Sequence, residues 1–260
     1  MKKILFLVFI SSFLLIPFLP QIATGNELIF TQIDEADKLW VQAFNENKGD
    51  VHSLYLDAAV FFAEKDDVRR GNKEIAGYYM KLYQDMGEIT ELVTEGRFLE
   101  NVNLVYEMGY FKTVNNREYQ FIATWKKQSA SGSWFRELET VGVKNPGGID
   151  EKVIDQPRDN WVKYCAAKNA YKLVKNVYTP DAYYYNRGRL LQGLDAIAKE
   201  YSCMNMPSYN LYLHPKVTRV VQPDLAYEIG QCSGSYRGHY ILKWVKEANG
   251  EWKVAMDSNY

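Results

Sequence analysis

The sequence predicts an α+β protein built from two tandem copies of one domain. The first observation is an internal repeat: at an offset of about 120 residues, the landmarks of one half meet those of the other in the same order. The second is the order within each half, where helical periodicity comes first and strand patterns follow. This order favours a curved antiparallel sheet packed on N-terminal helices. The matching landmarks include Trp40 with Trp161, Tyr55 with Tyr178, Gly71 with Gly193, Tyr106 with Tyr227, and Trp134 with Trp252.

The elements of the first copy can be placed in order from its periodicity. Apolar residues at helical spacing around Trp40 and Phe44 predict an opening helix. An aromatic strand follows at 58–63, and Gly71 marks the start of a second helix. Turn residues such as Ser131-Gly132 separate the strands of the back half. We predict these four strands at 88–99, 103–114, 117–127 and 134–141.

The second copy repeats this plan. Trp161 and Cys165 lie on the apolar face of its first helix, and Gly193 opens the second helix after a strand at 182–185. The copies meet at Asn145-Pro146-Gly147-Gly148, a Pro/Gly stretch that extends neither neighbour. The last four strands are predicted at 209–220, 225–233, 236–246 and 252–258. The predicted organisation is therefore a signal peptide at 1–25, domains at 26–145 and 153–260, and a linker at 146–152.

The first 25 residues have the pattern of a secretory signal peptide. Lys2 and Lys3 form a short basic region, an apolar run covers 4–19, and Ala23-Thr24-Gly25 offers small residues for cleavage. Pro17 interrupts the run and Pro20 directly follows it, which argues against an uncleaved membrane anchor. We expect an exported protein, periplasmic or extracellular, with no membrane attachment after cleavage.

Charge and metal-binding residue types exclude several classes of function. The chain carries 31 basic and 32 acidic residues, and no basic cluster follows Lys3. Nucleic-acid binding requires a basic face, so no nucleic-acid partner is expected. His52, His214 and His239 are far apart in sequence, and neither a metal motif nor a cofactor motif is present. We predict no metal and no cofactor.

All three cysteines, Cys165, Cys203 and Cys232, fall in the second copy. An exported protein can keep disulfides, but an odd number allows at most one bond within the chain. The alternative is that all three are small buried apolar residues with no chemical role. The sequence leaves this pairing open.

The chain resembles the NTF2-like superfamily, in its SnoaL-like or ketosteroid-isomerase-like branch. The resemblance covers nearly all of the mature chain, twice. It implies two cone-shaped domains, each a strongly bent sheet wrapped around helices with a pocket inside. Members include isomerases, dehydratases, transport modules and scaffold modules. The segments that carry it are the Trp40 and Trp161 helices, Leu54-Tyr55 and Val177-Tyr178, Asp57-Ala58 and Asp181-Ala182, Gly71 and Gly193, Asp224 to Gly230, and the closing Gly132-Ser133-Trp134 and Gly250-Glu251-Trp252.

Two acids are candidate catalytic residues because they occupy matching places on the last strand of each copy. Glu139 and Asp257 each follow a strand-opening tryptophan by five residues. The resemblance implies a polar pocket residue near there, although the histidine that often accompanies it is absent from these strands. We expect both acids to face solvent, and Asp257 to titrate as an exposed carboxylate near pH 4.

A second candidate pair is Arg237 and His239, which share a strand face because they are two residues apart. Facing inward, they would bring a cation and a titrating imidazole beside Tyr227. The opposite face carries Tyr240, Leu242 and other apolar residues, so we expect Arg237 and His239 to face solvent.

Tyrosine is the remaining signal, with 20 in the chain and thirteen of them in the second copy. Tyrosine combines a large apolar face with one polar tip, which suits a pocket for a hydrophobic or aromatic ligand. The alternative is that these rings fill the core and an interface. We assign candidate ligand-binding roles to Tyr178, Tyr184, Tyr227 and Arg237, and we expect the better pocket in the second copy.

These observations support an exported module that binds a small organic ligand or a partner protein. One alternative is an isomerase or hydratase that uses a pocket carboxylate and a tyrosine. The other is a purely structural protein whose two copies pair within the chain, or which forms a homodimer, through the sheets. A buried acid within hydrogen-bond reach of a tyrosine hydroxyl would distinguish the enzyme from the binder.

Overall fold

The computed structural model describes residues 25–64, 68–129, 131–145 and 147–260. The predicted signal peptide, 1–25, lies outside these residues except for Gly25. Within the described ranges, no helix combines the length and the apolar character that crossing a bilayer would need.

The first half follows the predicted order of helices and strands. A 3-10 turn at His52–Leu54 leads into the first strand, which begins earlier than predicted. A short edge strand before the second helix was not predicted, because three residues carry no readable alternation. The elements are α1 Gly25–Glu46, β1 Tyr55–Phe62, β2 Val68–Arg70, α2 Asn72–Met86, β3 Ile89–Asn101, β4 Leu104–Thr113, β5 Glu118–Lys127 and β6 Trp134–Val143.

The second half repeats this order with its first helix divided in two. The division follows Lys168, which has a positive φ of 56° and ends the helical run before Asn169 caps the next helix. Two 3-10 turns, at Glu151–Ile154 and Tyr201–Asn205, flank the helices. The elements are α3 Asp155–Ala166, α4 Ala170–Val177, β7 Tyr178–Asn186, β8 Arg189–Gln192, α5 Leu194–Glu200, β9 Leu211–Gln222, β10 Leu225–Gly234, β11 His239–Lys246 and β12 Trp252–Asn259.

Each half contains one six-stranded sheet with the same strand order. The orders are β2-β1-β6-β5-β4-β3 and β8-β7-β12-β11-β10-β9. The sheets are mixed rather than purely antiparallel, because β1 runs parallel to β6 and β7 runs parallel to β12. A parallel pair needs a long connection, and here each connection contains a helix and four strands.

The turn into the second helix shows how closely the two halves repeat. Gly71 and Gly193 have φ values of 85° and 86°, a backbone conformation that glycine adopts without steric cost. Both donate their backbone N–H to the first strand, at 2.8 Å to the carbonyl oxygens of Ala59 and Ala182. The two glycines that correspond in the sequence repeat therefore form the same turn in both halves.

The two sheets pack face to face. The faces that do not carry the helices form one apolar cluster with residues from both halves, among them Tyr106 and Tyr227. The Tyr227 hydroxyl lies 3.2 Å from Thr140 Oγ1, and the Tyr106 hydroxyl lies 3.4 Å from the carbonyl oxygen of His239. Each sheet is therefore covered on one face by its own helices and on the other by its partner sheet.

All three cysteines are free thiols. Cys165 and Cys232 are buried, and Cys203 is exposed. Burial raises the pKa of the Cys165 thiol to about 11, so it is protonated at neutral pH. The disulfide that the sequence left open is not formed.

Candidate functional site

The second half contains a cavity of about 540 Å³ between its helices and its sheet, and the cavity opens to solvent beside Arg187 and Arg189. Aromatic rings form much of its wall, and one buried acid, Asp257, lies on it. The cavity is in the half where the better pocket was predicted. The lining residues most relevant to its chemistry are Trp161, Tyr184, Tyr201, Tyr240, Leu242 and Asp257.

Part of the cavity exists because a smaller residue stands where a ring fills the first half. Phe111 pairs with Tyr119 in the register of β4 and β5, and the two rings stack at 5.1 Å. At the matching place in the second half, the N–H of Cys232 bonds to the carbonyl oxygen of Gly238. A thiol thus stands at the place of Phe111 and a glycine at the place of Tyr119, where the Tyr236 ring fills the side-chain space beside Gly238. The volume left at Cys232 is part of the cavity, because Cys232 lines it.

Asp257 is held by two tyrosines. The Tyr178 hydroxyl donates to Asp257 Oδ2 at 2.5 Å, and the Tyr201 hydroxyl donates to the same oxygen. The Trp161 Nε1–H donates in turn to the Tyr178 hydroxyl at 3.0 Å. This chain fixes the carboxyl group at the cavity wall, and Asp257 is only 3% exposed.

Burial raises the pKa of Asp257 to about 6, while the hydrogen bonds from Tyr178 and Tyr201 act in the opposite direction. The expectation of an exposed carboxylate near pH 4 is therefore wrong. The reason is the position of β12, a central strand that lies between β7 and β11. Its two faces are covered by the helices and by the partner sheet, so an acid on it is shielded from bulk water except through the cavity.

Glu139 of the first half is also buried, at 0% exposure, and its predicted solvent-facing position is wrong for the same reason. It accepts a hydrogen bond from Tyr55, whose hydroxyl accepts one from Trp40 Nε1 at 3.0 Å. Its second oxygen accepts from Arg136 Nη1. Burial raises the pKa of Glu139, and the Arg136 charge opposes that rise.

Arg136 has no counterpart in the second half. Arg136 lies opposite Tyr55 in the register of β6 and β1, and Val254 lies opposite Tyr178 at the matching place in β12 and β7. The second half has a different buried arginine, Arg158 of α3, whose Nε bonds to Glu228 at 2.9 Å. No described lysine, arginine or histidine forms an ion pair with Asp257.

The predicted ligand-binding residues divide between the cavity and the surfaces away from it. Tyr184 lines the cavity, and Tyr178 holds its acid. Tyr227 lies between the two sheets and Arg237 is exposed in the turn before β11, so neither is on the cavity wall. The inward face of β10 carries Ala226 and Cys232, and Tyr227 points to the opposite face because strand neighbours alternate.

His239 is likewise separate from the cavity. It was predicted to face solvent, but it is 9% exposed, and its Nδ1 lies 2.7 Å from Glu100 Oε2 of the first half. The face of β11 opposite the core rings is covered by the partner sheet, which the prediction from one copy could not include. His239 therefore belongs to the contact between the halves.

Two residues that contact the buried acids were missed by the sequence reasoning. One is Tyr201, which directly follows α5. Tyr201 aligns with Tyr79, which also lies close to the acid of its own half, and this correspondence could have identified it. Arg136 was overlooked because a charged residue on a predicted strand usually marks a solvent face.

Asp257→Asn is expected to have a free energy of unfolding about 1–3 kcal/mol higher than that of the wild type at pH 7.5. An unfolded aspartate titrates near 4, whereas the folded-state pKa is about 6. The folded state binds more protons between these values, so wild-type stability falls as pH rises from about 4 to about 6. Urea unfolding at pH 4 and pH 7.5 measures this, and the two proteins should converge at pH 4.

The exposed Asp181, on the same strand as Tyr178, provides the matched control. Asp181→Asn should leave the pH profile of the unfolding free energy as it is in the wild type. An Asp257→Asn protein that is less stable than wild type at pH 7.5 would contradict the assignment of Asp257 as a desolvated acid.

Comparison with known proteins gives similarity at the level of solved structures. A ketosteroid isomerase-like protein from Erwinia carotovora atroseptica is 17% identical, with a TM-score of 0.37, over 45% of this chain and 96% of its own. A cystatin-like-fold domain of unknown function from Nostoc punctiforme is 15% identical, with a TM-score of 0.40, over 57% and 96%. An NTF-2 like protein of unknown function from Shewanella oneidensis is 16% identical, with a TM-score of 0.37, over 41% and 94%.

No protein-family model matches the chain, and no curated protein matches it. The architecture itself can be compared with the earlier expectation. Two tandem α+β units are present, each with a six-stranded sheet packed on helices. Both halves therefore have the architecture that the resemblance to the NTF2-like superfamily implied.

Proposed function

We propose that this chain is an exported binding module that holds one small organic ligand in the cavity of its second half. The observation that carries the proposal is the cavity of about 540 Å³, walled by aromatic rings and containing one buried acid. Small-molecule sites are typically concave and mostly apolar, with a few polar groups that fix orientation. The first half serves as the packing partner that covers the second sheet.

The lining indicates a ligand with at least one ring. Trp161, Tyr184 and Tyr240 offer large apolar faces, and rings of this kind pack against flat ligands in edge-to-face or offset arrangements. Asp257 supplies a strong hydrogen-bond acceptor on the same wall. A small hydrophobic or aromatic molecule with one polar group would satisfy both features.

Export is part of the proposal and is supported by the basic start and apolar run of residues 1–25. Mass spectrometry of the protein recovered from its producing cells tests this. Loss of the first 25 residues is the expected result, and a full-length mass would contradict it.

Cys232→Phe is expected to abolish binding of a neutral ring probe, 2-naphthol, while the fold is kept. The new ring would stand where Phe111 stands in the first half and would occupy part of the cavity that Cys232 now lines. Isothermal titration calorimetry should show a loss of at least tenfold in affinity, which corresponds to about 1.4 kcal/mol.

Cys165→Ala is the matched control, because this buried thiol lies in α3 and does not line the cavity. Its affinity for 2-naphthol should stay within twofold of wild type. If wild-type protein itself binds no 2-naphthol, the binding proposal fails, and the face-to-face sheets favour a purely structural protein.

A second candidate function is an isomerase that uses Asp257 as a proton acceptor or donor. The specific observation is that an acid with a pKa of about 6 lies on a cavity wall and is bonded to two tyrosine hydroxyls. Exchange of the α-protons of 2-tetralone in D2O, followed by NMR, tests for such proton transfer. The isomerase requires exchange that Asp257→Asn abolishes, and equal rates in both proteins would exclude it for this probe.

A further inference from the structure

We infer that the acid end of the cavity is a site for the cationic head of a ring-bearing organic ligand, such as an amidinium, guanidinium or ammonium group. This inference rests on the proposed binding function and names the chemistry of its ligand. It comes from a comparison of the two halves, because the first half already holds a guanidinium at the matching place.

The first half shows how this set of residues accommodates a cation. The Arg136 guanidinium carbon lies 4.2 Å from the centre of the Trp40 ring, 4.9 Å from that of Trp125 and 5.3 Å from that of Phe121. Arg136 Nη1 donates to Glu139. Arg136 Nη2 also lies 3.2 Å from Asp37 Oδ1. Aromatic faces and two carboxylates thus surround a fully buried positive charge, which is a favourable arrangement for a desolvated cation.

The second half keeps the rings and one of the two acids, and it lacks the arginine that they surround. The second acid, Asp37, aligns with Arg158, which is paired with Glu228. Trp161, Trp244 and Tyr240 stand at the places of Trp40, Trp125 and Phe121, and all three are buried. Asp257 stands at the place of Glu139, since both lie opposite the first strand of their sheet, at Tyr184 and Phe61 respectively. The arginine is replaced by Val254, whereas the changes from Phe121 to Tyr240 and from Glu139 to Asp257 keep a ring and a carboxyl group.

The hydrogen bond that orients the acid is also kept. In both halves a tryptophan Nε1–H donates to a tyrosine hydroxyl at 3.0 Å, and that hydroxyl donates to the acid. The acid of the second half is therefore positioned like the one that binds a guanidinium in the first half. Unlike Glu139, it borders a cavity that can admit a separate molecule.

Charge decides between a cationic head and a neutral or anionic one. Both described hydrogen bonds to Asp257 go to Oδ2, and no described cation pairs with this carboxyl group. A carboxylate in a low-dielectric site attracts a cation far more strongly than it would in water, and it repels an anion equally strongly. A ligand that brings a positive charge would restore the pair that Arg136 and Glu139 form in the first half.

The rim of the cavity carries charges of both signs. Arg187 is exposed, and Arg189 lies 3.4 Å from Glu200, which is also on the cavity wall. Exposed charges are screened over about 8 Å at physiological salt. The rim arginines therefore affect the rate of entry of a cation more than its affinity at the buried acid.

The test uses three probes of the same size on the full chain: benzamidine as the cation, benzamide as the neutral analogue and benzoate as the anion. Calorimetry at pH 7.5 should show benzamidine binding at least tenfold more tightly than benzamide, and no binding of benzoate. Asp257→Asn should reduce the preference for benzamidine to within about twofold while benzamide still binds. Arg187→Gln is the rim control and should leave the preference unchanged.

Acidic pH should remove the same preference. The groups that face Asp257 are Tyr178 and Tyr184 of β7, Tyr201 after α5 and Cys232 of β10, and burial raises the pKa of each of the four above its ordinary value. They stay protonated at pH 5–8, so Asp257 is the group among these five that titrates in this range. Benzamidine affinity should fall as pH drops below about 6, whereas benzamide affinity should not.

The outcomes separate this inference from the function on which it rests. If 2-naphthol and benzamide bind, but benzamidine binds no more tightly than benzamide, the cavity is a ring-binding site without cation preference and the inference is overturned. If none of the ring probes binds, both proposals fall. A preference for benzamidine that survives in Asp257→Asn would place the cation elsewhere and would also overturn the inference.

Discussion

Arg136→Met is expected to lower the free energy of unfolding by about 3–5 kcal/mol, the usual cost of removing one partner from a buried ion pair. The guanidinium is 1% exposed, bonds to Glu139 and lies 3.2 Å from Asp37 Oδ1. Methionine has a similar length but leaves two buried acids with less compensating charge. Urea unfolding at pH 7.5 measures the loss.

The double variant Arg136→Met with Glu139→Gln distinguishes charge from packing. It removes the unpaired acid, and glutamine still offers an oxygen to the Tyr55 hydroxyl, so most of the stability should return. The single variant should also become relatively more stable at pH 5, because burial already raises the pKa of Glu139 and the loss of Arg136 raises it further. Equal stability of single and double variants would show that the effect is packing alone.

Trp40→Ala is expected to cost about 3–5 kcal/mol, the range for truncating a buried aromatic residue. Trp40 is 0% exposed, and its ring centre lies 5.4 Å from that of Tyr79 and 5.8 Å from that of Phe111. Its removal would open a void beneath the Arg136 guanidinium and would leave the Tyr55 hydroxyl without the Nε1–H donor. A thermal melt followed by circular dichroism measures the effect.

Trp161→Ala in the second half is the matched comparison. Its cost should be smaller, because one side of Trp161 already borders the cavity and fewer contacts are lost. Trp40→Phe should recover part of the loss by restoring ring packing without the Nε1–H donor. A Trp40→Ala protein with the same melting temperature as the wild type would show that the core of the first half does not depend on this ring.

Most elements of the fold could be predicted from the sequence, because the repeat shows the pattern of each element twice. The strands predicted at 103–114 and 225–233 agree closely with β4 and β10. Short elements such as β8 were missed, because four residues cannot display a period. The parallel pairing of β1 with β6 was also missed, because strand order depends on long-range contacts rather than on local pattern.

The site was less accessible to prediction than the fold. Asp257 and Glu139 were selected as candidates, but their burial depends on the second sheet that covers their strands, and periodicity within one copy does not include it. His239 was misplaced for the same reason. Part of the cavity arises from Cys232 standing at the place of Phe111, a difference that becomes visible only when the halves are aligned through their strand register.

The unequal filling of the two halves has a consequence for stoichiometry. Two identical domains paired through their sheets would present two equivalent sites, and such a pair can bind ligand cooperatively. Here the rings of Phe111 and Tyr119 and the guanidinium of Arg136 occupy the first site from within the chain. In the proposed role, a titration would therefore saturate at one ligand per chain and follow a simple hyperbola with a Hill coefficient of about 1.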